Sequence, residues 1–199
     1  MDKKYYAVHK PYNVISQFTK ENHDDITLAD LDFKFPTDVY PVGRLDKDSE
    51  GLLLLTNDNQ LKNRLLDPKF KHMKTYWAQV ENVPTKAAIA ELQSGVTIRV
   101  DKKDYKTLAC KAKLLPAMEI APRNPPIRER QNIPTAWIEI TLNEGKNRQV
   151  RRMCAAVGFP VLRLIRMRIE SIKLDNIGVG EILELTANEF KSFMNREKN

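Results

Sequence analysis

With 199 residues, 33 lysines and arginines, 26 acidic residues and two cysteines, the chain is basic and carries a formal charge of +7. Its length suits one domain or two packed subdomains, and so few cysteines argue against a disulfide framework and favour the cytoplasm. No apolar run reaches transmembrane length, and the scattered histidines and cysteines match no metal-ligand spacing. The sequence therefore predicts no membrane association, no metal and no other cofactor.

Apolar runs and alternating patterns predict seven strands with helices between them. The strands are Tyr5–Lys10, Leu52–Leu55, Thr75–Glu81, Leu108–Leu115, Ala136–Leu142, Val161–Ile169 and Ile182–Leu185. Three of the helices are Asn59–Leu66, Lys86–Ser94 and Ala187–Asn195. Thr85 is the candidate N-cap of the second and Gly95 follows its end, and a capping box of Thr186 and Glu189 opens the third. This order of elements favours an α+β fold, and five prolines between Pro116 and Pro134 predict a surface loop.

The positive charge is concentrated in residues 146–168, which contain no acidic residue. The seven cations of this segment are Lys146, Arg148, Arg151, Arg152, Arg163, Arg166 and Arg168. Without them the chain is neutral. Concentrated positive charge attracts polyanions, and arginine suits bidentate contacts with phosphate, so the segment indicates nucleic acid as the partner. The alternative is a solvated basic face that binds nothing.

A fourth helix is predicted inside this basic segment, with Asn147 as its N-cap and Gly158 as its stop. Its core face follows helical spacing and consists of Val150, Met153, Cys154 and Val157. Arg148 and Arg152 fall on the opposite face, and Arg151 falls at the border, where a half-buried guanidinium needs an anionic partner. Cys154 fits a small core residue better than a reactive thiol.

Residues 43–58, GRLDKDSEGLLLLTND, place one acid where little else explains it. Asp46 follows Arg44 and Leu45 and comes just before the leucine run Leu52–Leu55, which predicts a buried strand. A carboxylate beside the mouth of a buried strand can be shielded from water and aimed at a substrate. A polar loop that merely caps the strand is the alternative.

Several segments together resemble the motifs of the RsuA/RluB/E/F family of RNA pseudouridine synthases. They are HKPYNVISQF at 9–18, GRLDKDSEGLLLLTND at 43–58, KTYWAQVE at 74–81 and EGKNRQVRRMCAAVGFPVLRLIR at 144–166. RNPPIRER and IPTAWIEITL, at 123–130 and 133–142, are similar to the ribosomal large subunit pseudouridine synthase E group. Asn13 and Asn59 replace frequent glycines of the family, and 100–121 is the least similar stretch.

The resemblance implies an α+β pseudouridine synthase fold, with a mixed, mostly antiparallel sheet flanked by helices and two packed subdomains around a catalytic cleft. It implies a single catalytic domain over 1–199. Because the first motif starts by residue 9, we expect no preceding S4-type RNA-binding domain.

Carried over to this sequence, the family's motifs imply that Asp46 is the nucleophile and that Tyr76 is a catalytic residue that stacks on the target base and helps to move its C5 proton. Arg151 would pair with Asp46, and Arg44 would fill the gap left by the flipped uridine. The remaining predicted RNA-binding residues are Lys146, Arg148, Arg152, Arg163 and Arg166. Without the resemblance, Tyr76 forms one face of a strand with Ala78 and Val80 and could be a simple core residue, and Arg44 alone resembles an ordinary surface arginine.

The implied reaction converts a specific uridine of large-subunit ribosomal RNA to pseudouridine. It breaks the N1–C1′ bond and joins C5 to C1′ with no redox change or group donor, which agrees with the predicted lack of a cofactor. We expect a cytoplasmic monomer. The alternatives are a non-catalytic RNA-binding or ribosome-assembly factor, and the same chemistry on small-subunit ribosomal RNA or transfer RNA.

Overall fold

The computed structural model describes residues 2–128 and 133–191, and the chain divides into two compact units. The first unit consists of Met1–His72 and Arg166–Asn199, and the second of Met73–Ile165. Both units contain helices as well as strands, as an α+β fold requires.

Over the described ranges, the strands in chain order are β1 (Tyr5–Lys10), β2 (Val14–Ile15), β3 (Ile26–Thr27), β4 (Tyr40–Pro41), β5 (Glu50–Thr56), β6 (Lys74–Glu81), β7 (Thr97–Val100), β8 (Lys103–Lys106), β9 (Lys111–Leu114), β10 (Thr135–Leu142), β11 (Val161–Ile169), β12 (Ile172–Lys173) and β13 (Ile182–Glu184). The α-helices are α1 (Asn59–Leu66), α2 (Lys86–Ser94), α3 (Gln149–Ala156) and α4 (Ala187–Lys191). In the same described part of the chain, 3-10 helices cover Leu28–Asp30 and Pro68–Phe70.

The core of the first unit lies around β5, which is buried along its whole length. β1 lies between β13 and β5 and pairs antiparallel with both. Gly51 in β5 has φ +105°, and a Cβ added there would lie 2.4 Å from the backbone oxygen of Arg166. A glycine is therefore needed where β5 passes the backbone of Arg166, at the start of the part of β11 that belongs to this unit.

The core of the second unit is a cluster of buried residues from α3 and from the strands of that unit. β10 pairs antiparallel with β6 and β9, and the core cluster includes Ile138 and Ile140 of β10. Met153 and Cys154 of α3 are fully buried in that cluster. This position confirms the interpretation of Cys154 as a core residue, and burial there raises the pKa of its thiol to about 12.

Most predicted elements are confirmed, and α1 and α2 have the predicted bounds. The strand predicted over Leu108–Leu115 is wrong in its first part, because the Leu108 N–H bonds the carboxylate of Glu144 and pairing begins at Lys111. The β7–β8 hairpin was not predicted. The last helix is described as far as Lys191, and the rest of its predicted length, like residues 129–130 of the RNPPIRER segment, lies outside the described residues.

The predicted start of α3 is also wrong. Arg148, not Asn147, holds the N-cap position, in a left-handed conformation with φ +53°. Asn147 instead accepts a hydrogen bond from the Arg152 guanidinium at 2.9 Å. The side-chain oxygen of Gln149 accepts from the Lys146 N–H at 2.9 Å, so a glutamine inside the first turn orders the entry to the helix.

Candidate active site

Asp46 lies in a half-buried position in the loop that leads into β5. The residue before it, Leu45, is buried and is bound twice by one side chain. The Ser16 hydroxyl donates to the Leu45 carbonyl at 2.9 Å and accepts from the Leu45 N–H at 3.0 Å. A turn follows, in which the Ser49 N–H donates to the Asp46 carbonyl at 3.0 Å. The backbone on both sides of Asp46 is therefore held by hydrogen bonds.

The first motif also holds the residue after Asp46. The Asn13 N–H donates to the Lys47 carbonyl at 2.8 Å, and Asn13 adopts φ +66°. Asparagine tolerates this left-handed conformation, which agrees with its predicted replacement of glycine. The Lys47 ammonium lies 2.9 Å from the buried carboxylate of Asp25. The hydrogen bonds from Lys47 and from the Asn22 N–H lower the pKa of Asp25 to about 2.

Charged groups are buried next to this loop, although nothing in the sequence predicted their burial. Lys10, at the end of β1, is fully buried and donates to the carbonyls of Pro11 at 2.8 Å and Val14 at 2.6 Å. Burial lowers the pKa of Lys10 to about 7, and the charge of nearby Glu50 opposes that shift only in part. Lys10 thus fixes the turn between β1 and β2, and that turn carries the Asn13 contact.

Arg166, like Lys10 and Glu50, is a buried charged residue. It is 4% exposed, and its Nε donates to the Leu52 carbonyl at 2.7 Å. Arg163 is 5% exposed and donates to the Ala121 carbonyl at 2.7 Å. Both arginines were predicted as RNA-binding residues, but their guanidinium groups bind backbone carbonyls within their own units.

The cations at the entry to α3 are more exposed than Arg163 and Arg166. Lys146 and Arg148 are exposed, and the Lys146 ammonium lies 4.8 Å from the centre of the Tyr105 ring. Arg152 is half-buried and also donates to the Arg99 carbonyl. Arg151 is half-buried at the border of the apolar face, as predicted, and donates to the Val161 carbonyl at 3.2 Å.

Tyr76 lies in β6, opposite Ile140 of β10. It is partly buried and packs against the core cluster of the second unit, while part of its surface stays accessible. It is therefore not a fully buried core residue.

The predicted site residues are divided between the units. Arg44, Asp46 and Arg166 belong to the first, whereas Tyr76, Lys146, Arg148, Arg151, Arg152 and Arg163 belong to the second. The ion pair predicted between Asp46 and Arg151 stays a prediction. Among residues 2–128 and 133–191, no group of three His, Cys, Asp or Glu side chains could hold a metal ion. Within the same ranges, no helix has the length and apolar character needed to span a membrane.

Comparison with protein families assigns the chain to a family, because the family model described as RNA pseudouridylate synthase matches residues 4–156. The chain belongs to the RNA pseudouridylate synthase family. It is thus an RNA pseudouridine synthase, an isomerase, and the matched range includes Asp46, Tyr76 and Arg151.

The names of similar proteins indicate which group within the family this chain resembles. The chain is 46% identical to the ribosomal large subunit pseudouridine synthase E of Vibrio parahaemolyticus, over 92% of this chain and 74% of that one. The enzyme of the same name from Xanthomonas axonopodis is 48% identical over 84% of this chain and 86% of its own length. The predicted resemblance to the E group is therefore confirmed.

Solved structures agree on the fold. A crystal structure of a pseudouridylate synthase superposes with a TM-score of 0.76 at 28% identity, covering 96% of this chain and 74% of that one. Human RNA pseudouridylate synthase domain containing 1 has a TM-score of 0.55 at 16% identity, over 96% of this chain and 82% of that one, and shares the fold. The predicted fold class is confirmed.

Proposed function

We propose that the protein isomerises a specific uridine of large-subunit ribosomal RNA to pseudouridine, with Asp46 as its nucleophile. The observation that carries the proposal is the fixed backbone around Asp46, held by Ser16 before it and Asn13 after it. The names of the 46–48% identical relatives support the RNA class. We further propose that the enzyme acts as a cytoplasmic monomer.

The reaction needs a group that can take the place of the base at C1′, or assist its departure, while the base turns. A carboxylate can do this in the way that glycosidase carboxylates do. The N1–C1′ bond breaks, C5 then bonds to C1′, C5 loses its proton and N1 gains one. Atoms and electrons balance within the uridine, so no donor is consumed. A fixed loop favours this chemistry because small displacements of a reacting group cost much of the rate.

The target base must leave the stack before it can react, which costs a few kcal/mol. In the proposal, stacking on the accessible part of Tyr76 and phosphate contacts from Lys146, Arg148 and Arg152 offset that cost. Arg44, which is exposed, would take the position of the departed base. The buried Arg163 and Arg166 fit a structural role better than contacts with phosphate.

The test is tritium release from large-subunit ribosomal RNA that carries [5-³H]uridine, with the wild-type protein compared with Asp46→Asn. Joining C5 to C1′ expels the tritium, so we expect release by wild type and none by the variant, with RNA binding within a few-fold of wild type. Transfer RNA and small-subunit RNA serve as alternative substrates. If Asp46→Asn retains release, or loses binding as fully as release, the nucleophile assignment is wrong.

A further inference from the structure

A second candidate RNA surface lies on the first unit, on the outer side of α1 and the 3-10 helix that follows it. We name it the α1 surface. Its members are Tyr40, Lys62, Arg64, Leu66, Lys69, Phe70 and Lys71. Residues 59–71 contain four cations and one acid, Asp67, and that acid already lies 2.8 Å from the Lys69 ammonium. The α1 surface is therefore positively charged, and it lies outside the basic segment at residues 146–168.

Aromatic rings on this surface are exposed and accompanied by cations. Tyr40 is 52% exposed and Phe70 is 36% exposed. Among the large apolar side chains that are exposed in residues 2–128 and 133–191, these two are the aromatic ones. The Lys62 ammonium lies 5.6 Å from the centre of the Tyr40 ring. Arg64 and Lys69 lie 5.0 and 4.8 Å from the centre of the Phe70 ring.

The Phe70 ring is supported from within the unit. It stacks on the His72 imidazole with ring centres 5.9 Å apart. His72 is buried, and its two ring nitrogens lie 3.0 Å from the Glu170 carboxylate and 3.1 Å from the Arg64 carbonyl. A ring that is held in place loses little conformational entropy when a planar group stacks on it.

The α1 surface is continuous with the segment that leads to Asp46. A Cβ added to Gly43 would lie 3.0 Å from the Leu66 side chain, so Leu66 lies against the start of the GRLD sequence. Tyr40 precedes Gly43 in the same segment and pairs with Thr56 at the end of β5. RNA bound on this surface would therefore lie next to the segment that carries Arg44 and Asp46.

We infer that the α1 surface binds a single-stranded RNA segment that flanks the target uridine, with bases stacked on Tyr40 and Phe70 and phosphates on the neighbouring cations. Proteins that bind single-stranded nucleic acid place aromatic rings among cations. The rings stack on the bases, each of which has a π face, and the cations contact the phosphates, which carry one negative charge per nucleotide. This inference rests on the proposed function for its RNA substrate. An acidic protein would satisfy the cations, but it would leave the two rings without planar partners.

The test measures RNA affinity and steady-state kinetics for Tyr40→Ala and Phe70→Ala with the RNA that supports tritium release by wild type. We expect each variant to weaken RNA binding by roughly ten-fold, with the loss expressed mainly in KM. Arg64→Gln should reduce the slope of log Kd against log salt concentration by roughly 0.7 if one phosphate contact is lost. Phe70→Tyr, which keeps an aromatic ring, should restore affinity, and thermal melting checks that every variant folds.

Matched controls come from the same unit and lie outside the α1 surface. Leu183→Ala removes an exposed apolar side chain, and Lys173→Gln removes an exposed cation; both should bind RNA as wild type does. Wild-type RNA affinity in folded Tyr40→Ala and Phe70→Ala would overturn the inference. Absence of tritium release by wild type on every RNA would instead count against the proposed function, so the two failures are distinguishable.

Discussion

The loop that carries Asp46 and the segment that enters α3 both contain predicted site residues, yet they are held in different ways. Around Asp46, the position of the chain is determined by hydrogen bonds to its backbone, such as that from the Ser16 hydroxyl. It is also determined by the buried residues Lys10, Glu50 and Gly51. At the entry to α3, residues 145–148 are exposed. Groups that form or break bonds need a fixed geometry, whereas groups that attract phosphates need mainly charge.

The largest effect is expected when a methyl group is added beside Arg166. Gly51→Ala combines a positive φ with a 2.4 Å approach to backbone, so it should lower the free energy of unfolding by roughly 2–5 kcal/mol. In thermal melting this corresponds to a decrease in Tm of about 5–15 °C. Gly145→Ala, in the other region, is the control, because its added Cβ has no described residue within 4 Å apart from its chain neighbours. Equal melting of the two variants would remove the distinction between the regions.

An intermediate effect is expected from Lys10 and depends on pH. Its pKa is about 7 in the folded protein and 10.5 in the unfolded chain, so the unfolded state binds more protons between these values. The cost of burying this charge is complete below about pH 7 and disappears as the pH rises towards 10.5. The free energy of unfolding of wild type should thus rise, relative to Lys10→Met, by up to about 1.4 kcal/mol per pH unit in this window.

Urea unfolding at pH 6.5, 8.0 and 9.5 measures this difference. Lysines on the surface titrate alike in both proteins, so the difference between the two curves isolates Lys10. Curves that stay parallel over this range would show that Lys10 keeps an ordinary pKa.

The smallest effect is expected at the exposed end of the basic segment. Arg148→Ala should leave Tm unchanged and weaken RNA binding by roughly two- to five-fold at moderate salt. Arg163→Ala should instead lower Tm, because it removes a buried side chain bonded to the Ala121 carbonyl. Salt-dependent binding together with melting separates these outcomes, and a reversed pattern would mean that the buried arginine is the one that contacts RNA.

Long periodic elements and motif residues could be predicted from the sequence, whereas tertiary contacts could not. α2 was predicted with its Thr85 cap because the capping signal is local, and the structure has the Thr85 hydroxyl accepting from Ala88 N–H. The β7–β8 hairpin was missed because each of its strands has only four residues, which is too short for a period of two to stand out. Burial of Lys10 could not be predicted because an isolated lysine normally indicates exposure. The contact between Ser16 and Leu45 joins residues 29 positions apart, and no spacing rule links them.

The two cysteines have a practical consequence for labelling. Burial raises the pKa of Cys110 to about 11 and that of Cys154 to about 12. The thiolate is the nucleophile that reacts with alkylating reagents and peroxides, so both native thiols should react slowly at neutral pH. A cysteine introduced at an exposed position such as Lys71→Cys would then react selectively with maleimide dyes. The protein can therefore carry a fluorescent reporter on the α1 surface without prior removal of its own cysteines.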